Sequence, residues 1–165
     1  MNSKNQSAHI LFKKSEIQQF GFDEYMHPEW SKFYESFETD EFNDYKICYK
    51  SVGYNIPDNV DALLQNITDF DIRQLDFKIK GKPEKIRFAQ KNDSTFTLFL
   101  PKKTYKYSVL AKYQGKSLGL LNVEVYDLKS EEVIIIPLMD IDLNRDSLEQ
   151  YLNAIYSQAN LNFNV

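Results

Sequence analysis

After Tyr45 the apolar positions of this 165-residue chain recur with a period of two, the period of a strand whose side chains alternate between two faces. The clearest case is Tyr105 to Tyr113, where Tyr105, Tyr107, Val109, Ala111 and Tyr113 share one face and Lys106, Ser108 and Lys112 the other. The same alternation predicts strands over Tyr45 to Lys50, Leu75 to Lys80, Lys85 to Gln90, Thr95 to Leu100 and Leu118 to Tyr126. Asn92-Asp93, Gln114-Gly115 and residues 127–130 sit where turns are needed, so residues 114–117 join two strands as a hairpin. Short strands at this spacing, with no helical period between them, predict a mainly β fold, a β-sandwich of immunoglobulin-like build over residues 46–130. The Cys and Trp landmarks of an antibody domain are missing.

The pattern differs at both ends. Residues 1–45 read as a leader followed by an acidic and aromatic segment. Within the leader only Ile10, Leu11 and Phe12 can anchor a first edge strand, and from Gly21 to Tyr45 eight acidic residues interleave with aromatics against a single base, Lys32. Trp30, Phe33, Tyr34 and Phe37 keep a helical interval after Pro28, which predicts a short helix from Pro28 to Phe37. Residues 131–165 read as strand, helix and strand, the start of an α/β unit. Glu131 to Leu138 carries the continuous apolar run of a strand covered on both faces, and Asp146 has the capping-box spacing to Glu149 that opens a helix. Leu148, Tyr151, Leu152, Ile155, Tyr156 and Ala159 then follow the helical period, and Leu161, Phe163 and Val165 alternate as in a strand. A βαβ fragment of this kind calls for cover from an adjoining C-terminal domain or another protein.

Composition fits a packed domain. Eleven Tyr and twelve Phe stand against five Gly and five Pro, and a chain of this length buries roughly 70% of its unfolded surface without staples. The single cysteine, Cys48, excludes an internal disulfide and leaves the compartment open. Met1 to Ala8 is polar and the next apolar run is short, so no signal peptide is read, and no run of 18 apolar residues predicts a membrane span. The net charge of −4 conceals a segregation: residues 1–75 carry 7 Lys or Arg against 13 Asp or Glu, residues 76–116 carry 11 against 3, and residues 117–165 carry 2 against 8. A basic block can bind phosphate or nucleic acid, but here the lysines more simply fill the solvent side of strands, and no nucleic-acid or membrane partner is expected.

Candidate chemistry is sparse. His27 lies with Asp23 and Glu29 within seven residues, a weak metal set, because zinc favours several nitrogen or sulfur ligands and the only other histidine is His9. Asp140, Asp142, Asn144 and Asp146 imitate the start of a calcium loop but fail it, with Arg145 where glycine is required and Tyr151 where a bidentate Glu belongs. Asp146 as a helix cap explains that residue more cheaply. Cys48 reads as a buried, inert thiol. No Gly-rich phosphate loop, nucleophile elbow or HExxH motif occurs, so no cofactor and no catalytic set are expected. One binding hypothesis remains, that Trp30, Tyr34, Tyr45 and Tyr49, with Tyr54, form an exposed aromatic platform for a sugar or a protein partner.

The stretches GFDEYMHPEW, YSVLAKYQGKSLGLLNVEVYD, VIIIPL and LEQYLNAIYSQANLNFNV, taken in order, resemble the N-terminal part of bacterial zincin-like metallopeptidases of the Bacteroidetes type. The resemblance implies a β-sandwich preceding a peptidase domain that opens strand, helix, strand, with the zinc helix further on. No zinc motif is present here, so no catalytic residue carries over. The expectation is a non-catalytic interaction or accessory domain associated with such a peptidase or another protein partner, with a carbohydrate-binding β-sandwich module as the alternative.

Overall fold

The computed structural model describes residues 7–41, 43–132, 144–156 and 161–164. In chain order the strands are β1 (His9–Lys13), β2 (Phe22–Asp23), β3 (Ser36–Phe37), β4 (Tyr45–Lys46), β5 (Cys48–Gly53), β6 (Asp58–Gln65) and β7 (Leu75–Ile79). They continue as β8 (Arg87–Gln90), β9 (Thr95–Leu100), β10 (Tyr107–Tyr113), β11 (Lys116–Tyr126), β12 (Lys129–Glu132) and, after helix α1 (Arg145–Tyr156), β13 (Leu161–Asn164). Two sheets dominate, one ordered β1-β6-β9-β8 and the other β2-β5-β11-β10-β7. All their pairings are antiparallel except β5 with β11. The fold is therefore mainly β, as the alternation predicts.

The inner faces supply one core. Ile10, Phe12, Val60, Ala62, Phe96 and Leu98 come from the first sheet and Val52, Phe77, Ile79, Val109, Leu121 and Val123 from the second, all nearly inaccessible. The rings of Phe12 and Phe77 meet edge to face at 6.5 Å. One ion pair crosses the same interior. Lys50 on β5 donates to Asp58 on β6 at 2.5 Å and to the Phe20 carbonyl at 2.7 Å, while Asp58 also accepts from the backbone of Gln19 and Phe20, so the buried charges have several partners. Burial pulls the Lys50 ammonium below the usual lysine range even beside that carboxylate.

Several expectations shift. Strand β6 escapes the period-two pattern because Asp61 and Leu63, on its outward side, interrupt it, yet it lies in the middle of its sheet. The helix expected from Pro28 to Phe37 is a 3-10 helix that ends at Phe33, with no residue buried along it. Without a buried face there is little tertiary packing to hold an α-helix. Tyr34 is already extended, and Ser36–Phe37 pairs with Tyr45–Lys46 as a small hairpin. The sheets also take in residues 9–13 from the leader, as the expected edge strand, and residues 22–23 from the acidic and aromatic segment. The turn at Gln114-Gly115 has φ of 52° and 81°, the left-handed pair that a two-residue hairpin loop requires.

At the C-terminal end β12 and β13 pair in parallel and α1 packs on β13, so the strand-helix-strand unit is present. Its cap differs from the expected one: Asn144 accepts from the Ser147 amide at 3.0 Å, and Asp146 sits in the first turn, where the helix dipole favours a carboxylate. Residues 133–138 of the expected apolar strand, and Asp140 and Asp142 of the calcium-like spacing, lie outside the described residues. No helix among the described residues is long and apolar enough to cross a membrane.

Candidate functional site

The outward positions of the five-stranded sheet place a polar row across its width. Asp23 on β2 faces Tyr49 on β5, Tyr49 faces Asn122 on β11, and Asn122 faces Ser108 on β10. Cα partners share a face, so all four project to the same side. Lys80, one residue past β7, donates its backbone N–H to the Ser108 carbonyl at 2.8 Å and extends the row to the far edge.

The row is internally bonded. Ser108 Oγ donates to Asn122 Oδ1 at 2.7 Å, Asn122 stands beside Tyr49 across the β5–β11 ladder, and the Tyr34 hydroxyl donates to Asp23 Oδ1 at 2.5 Å. These bonds fix rotamers before any ligand arrives. Burial raises the pKa of Tyr49. Burial and the Asp23 carboxylate push that of Tyr34 up to about 12, so both hydroxyls keep their protons at neutral pH.

Over the middle of this row lies a cleft of about 510 Å³. Its apolar base is Leu120 and Ile47, part of a small cluster with Tyr45, Leu11, Phe37 and Leu110 that fastens the β3–β4 hairpin onto the sheet. The hairpin brings Glu35, Ser36 and Phe37 to one wall, and it is braced where Lys46 reaches Asp44 and Ser36, both at 2.7 Å. That contact holds the Asp44 carboxyl below the usual range. Around the opening stand Tyr49, Ser108, Asn122, Glu124, Lys80 and Lys106, and the Lys80 ammonium sits 5.1 Å from the centre of the Phe37 ring. An aromatic face, an amide, hydroxyls and carboxylates at one polar cleft are the parts from which recognition of a polyhydroxylated ligand is built.

The sequence-derived residues divide. Tyr49 lines the cleft. Trp30 and Tyr34 meet Phe33 and Asp23 around a shallower hollow of about 220 Å³, joined to the cleft through Asp23, which faces Tyr49. Tyr45 does not belong to any platform: it is 2% exposed, and its hydroxyl donates to the Ile10 carbonyl at 2.8 Å, because it is the residue that pins the hairpin to β1. Tyr54 is half-exposed beyond β5 and lines neither cavity. His27 packs its ring edge on Trp30 at 4.7 Å, Asp23 is engaged by Tyr34, and Glu29 lies in the first turn of the 3-10 helix. Among the described residues no group of three or more His, Cys, Asp or Glu is placed to hold a metal ion. Cys48 is buried and burial raises its thiol pKa, an inert state.

Missed by the sequence reading are Asn122, Glu35, Glu124 and Phe37, together with the roles of Ser108, Lys80 and Lys106, which read as ordinary solvent-side positions. Asn122 carried a usable signal, since asparagine is disfavoured in the middle of a long strand. Comparison with known proteins completes the picture: no protein family and no characterised relative matches this chain.

Proposed function

We propose that this chain is a non-catalytic recognition module whose sandwich presents the outer cleft to a sugar-like, polyhydroxylated ligand. The observation that carries this reading is the row of Tyr49, Asn122 and Ser108, with Asn122 bonded to Ser108, along a cleft walled by Phe37. A ring of Tyr49's type stacks on the apolar face of a pyranose, while a fixed amide and the carboxylates of Glu35 and Glu124 take its hydroxyls. The immunoglobulin-like build belongs to the same reading, supported by two facing and mainly antiparallel sheets. Titration calorimetry against a panel of neutral and acidic oligosaccharides tests it. Asn122→Ala is expected to weaken the bound saccharide about tenfold, the order of one or two lost hydrogen bonds, with an unchanged melting temperature. A panel without a binder, or an unaffected variant, would sink the reading.

A second reading, in which the chain serves an adjoining zincin-like peptidase or another protein partner, is favoured by α1. Tyr151 and Ile155 are exposed on it, and a lone parallel strand pair is a weak structure that usually has cover on both faces. It expects the amides of β12 and β13 to exchange quickly in this chain and to be protected when the peptidase domain is supplied. Equal exchange in both states contradicts it.

A further inference from the structure

We infer that the ligand of the cleft is an acidic saccharide, a uronic-acid oligomer whose carboxylate is read by Lys80 and Lys106. This inference rests on the sugar-binding reading above and adds the charge of the ligand.

Five of the eleven basic residues of the block 76–116 pair with a carboxylate among the described residues. Lys78 and Lys85 pair with Asp76, Lys91 with Asp61, Lys103 with Glu84 and Lys116 with Glu41, and Lys82 donates to the Tyr105 hydroxyl. Lys80 and Lys106 are among the six that have no carboxylate within ion-pair distance among the described residues, and they are the two of those six that line the cleft. The Lys80 ammonium is held near the Phe37 ring, a contact that limits its wandering without cancelling its charge. Two cations outside ion-pair distance of any described carboxylate, at one cleft, leave hydrogen-bond donors free for an anion.

The opposite charge lines the same cleft. Glu35 and Glu124 lie close enough to Tyr49 to favour its protonated form, and neither is in an ion pair among the described residues. The cleft thus carries both signs, with Lys106 next to Glu124 across the β10–β11 ladder and Lys80 and Glu35 also in its lining. A uronic acid matches both signs, its carboxylate meeting the lysines and its hydroxyls donating to the two glutamates. A neutral sugar would leave the lysines unanswered, and a poly-acidic peptide would set its further charges against Glu35 and Glu124.

The test is calorimetry on the full chain with three probes, the galacturonic acid trimer, its methyl ester and a glutamate trimer, in 50 and 200 mM NaCl. The acid is expected to bind about tenfold more tightly than the ester, a preference that shrinks with salt and vanishes in the Lys80→Gln/Lys106→Gln variant. Because both lysines are exposed, that variant should melt with the wild type, and its acid-to-ester affinity ratio, compared with the wild-type ratio, isolates the charge. Equal affinity for acid and ester overturns the inference and leaves the sugar reading standing. Failure of both saccharides overturns the two together, and a glutamate trimer that binds as tightly as the uronate overturns the choice of a sugar.

Discussion

At Tyr34 burial, and after it the bond to Asp23, push the hydroxyl pKa up to about 12 against an ordinary value near 10. The folded state holds the proton more tightly than the unfolded state. The stabilisation is therefore full below about pH 10 and is lost as pH rises from there through 12. The Tyr34 Cζ resonance should titrate late, and Asp23→Asn should bring it down; an ordinary midpoint in the parent would remove the bond. Gly119 gives a second residue-level expectation. A Cβ there would lie 2.4 Å from the Ile10 carbonyl oxygen, a backbone atom that cannot step aside alone. Gly119→Ala should cost about 1–3 kcal/mol, seen as a lower urea midpoint at constant slope, because it overpacks the approach of β1 to β11. This requirement was invisible in the sequence, where LGLL gives no hint that another strand's backbone crosses at the glycine.

At the scale of elements, the hairpin of β3 and β4 decides whether the cleft has a wall. Its brace includes Asp44, whose carboxyl is held below the usual range first by the hydrogen bond from Lys46 and then by that from Ser36. A depressed carboxyl stabilises above its unfolded pKa of about 4 and loses that contribution as pH falls through the folded value. Amide exchange at Ile47, whose N–H binds the Glu35 carbonyl at 3.0 Å, should therefore quicken below about pH 4 and should be fast at neutral pH in Asp44→Ala. Exchange indifferent to both would show that the apolar cluster alone holds the hairpin. This element also marks where pattern reading stops. Strands β7, β9, β10 and β11 were legible because one face is buried and the other wet, which writes the alternation directly into the chain. Strand β6 was not, since Asp61 is buried on its outward side by Thr97 and Lys91. The 3-10 helix misled for the opposite reason: its aromatics keep a helical interval but stay at the surface, where spacing reflects a solvent-facing cluster and not a core stripe.

Across the whole molecule, the two sheets are joined by their apolar faces and by a buried charged contact, Lys50 to Asp58. Removing a single partner strands the other in the interior. Lys50→Met should lower stability by about 3–5 kcal/mol, and replacing both residues with apolar ones of similar volume should recover most of it. A loss below about 1 kcal/mol by chemical denaturation would mean that water reaches the pair. Of the candidate site, Tyr49, Trp30 and Tyr34 were legible as aromatics in excess of what a small core holds, and Tyr45 failed because pattern alone cannot separate an aromatic that faces solvent from one that pins a hairpin. Asn122 and Ser108 gain meaning only from pairing, since they lie fourteen positions apart in the chain and meet through the register of β10 and β11.

The central claim is that the outer face of the five-stranded sheet is the recognition surface, and mapping backbone amide shifts during titration with an oligosaccharide tests it most directly. Saturable shifts confined to Phe37, Tyr49, Ser108 and Asn122 and their immediate neighbours are expected, all lost in Asn122→Ala. Shifts gathered on the four-stranded sheet or on α1, or none with any saccharide, would contradict it.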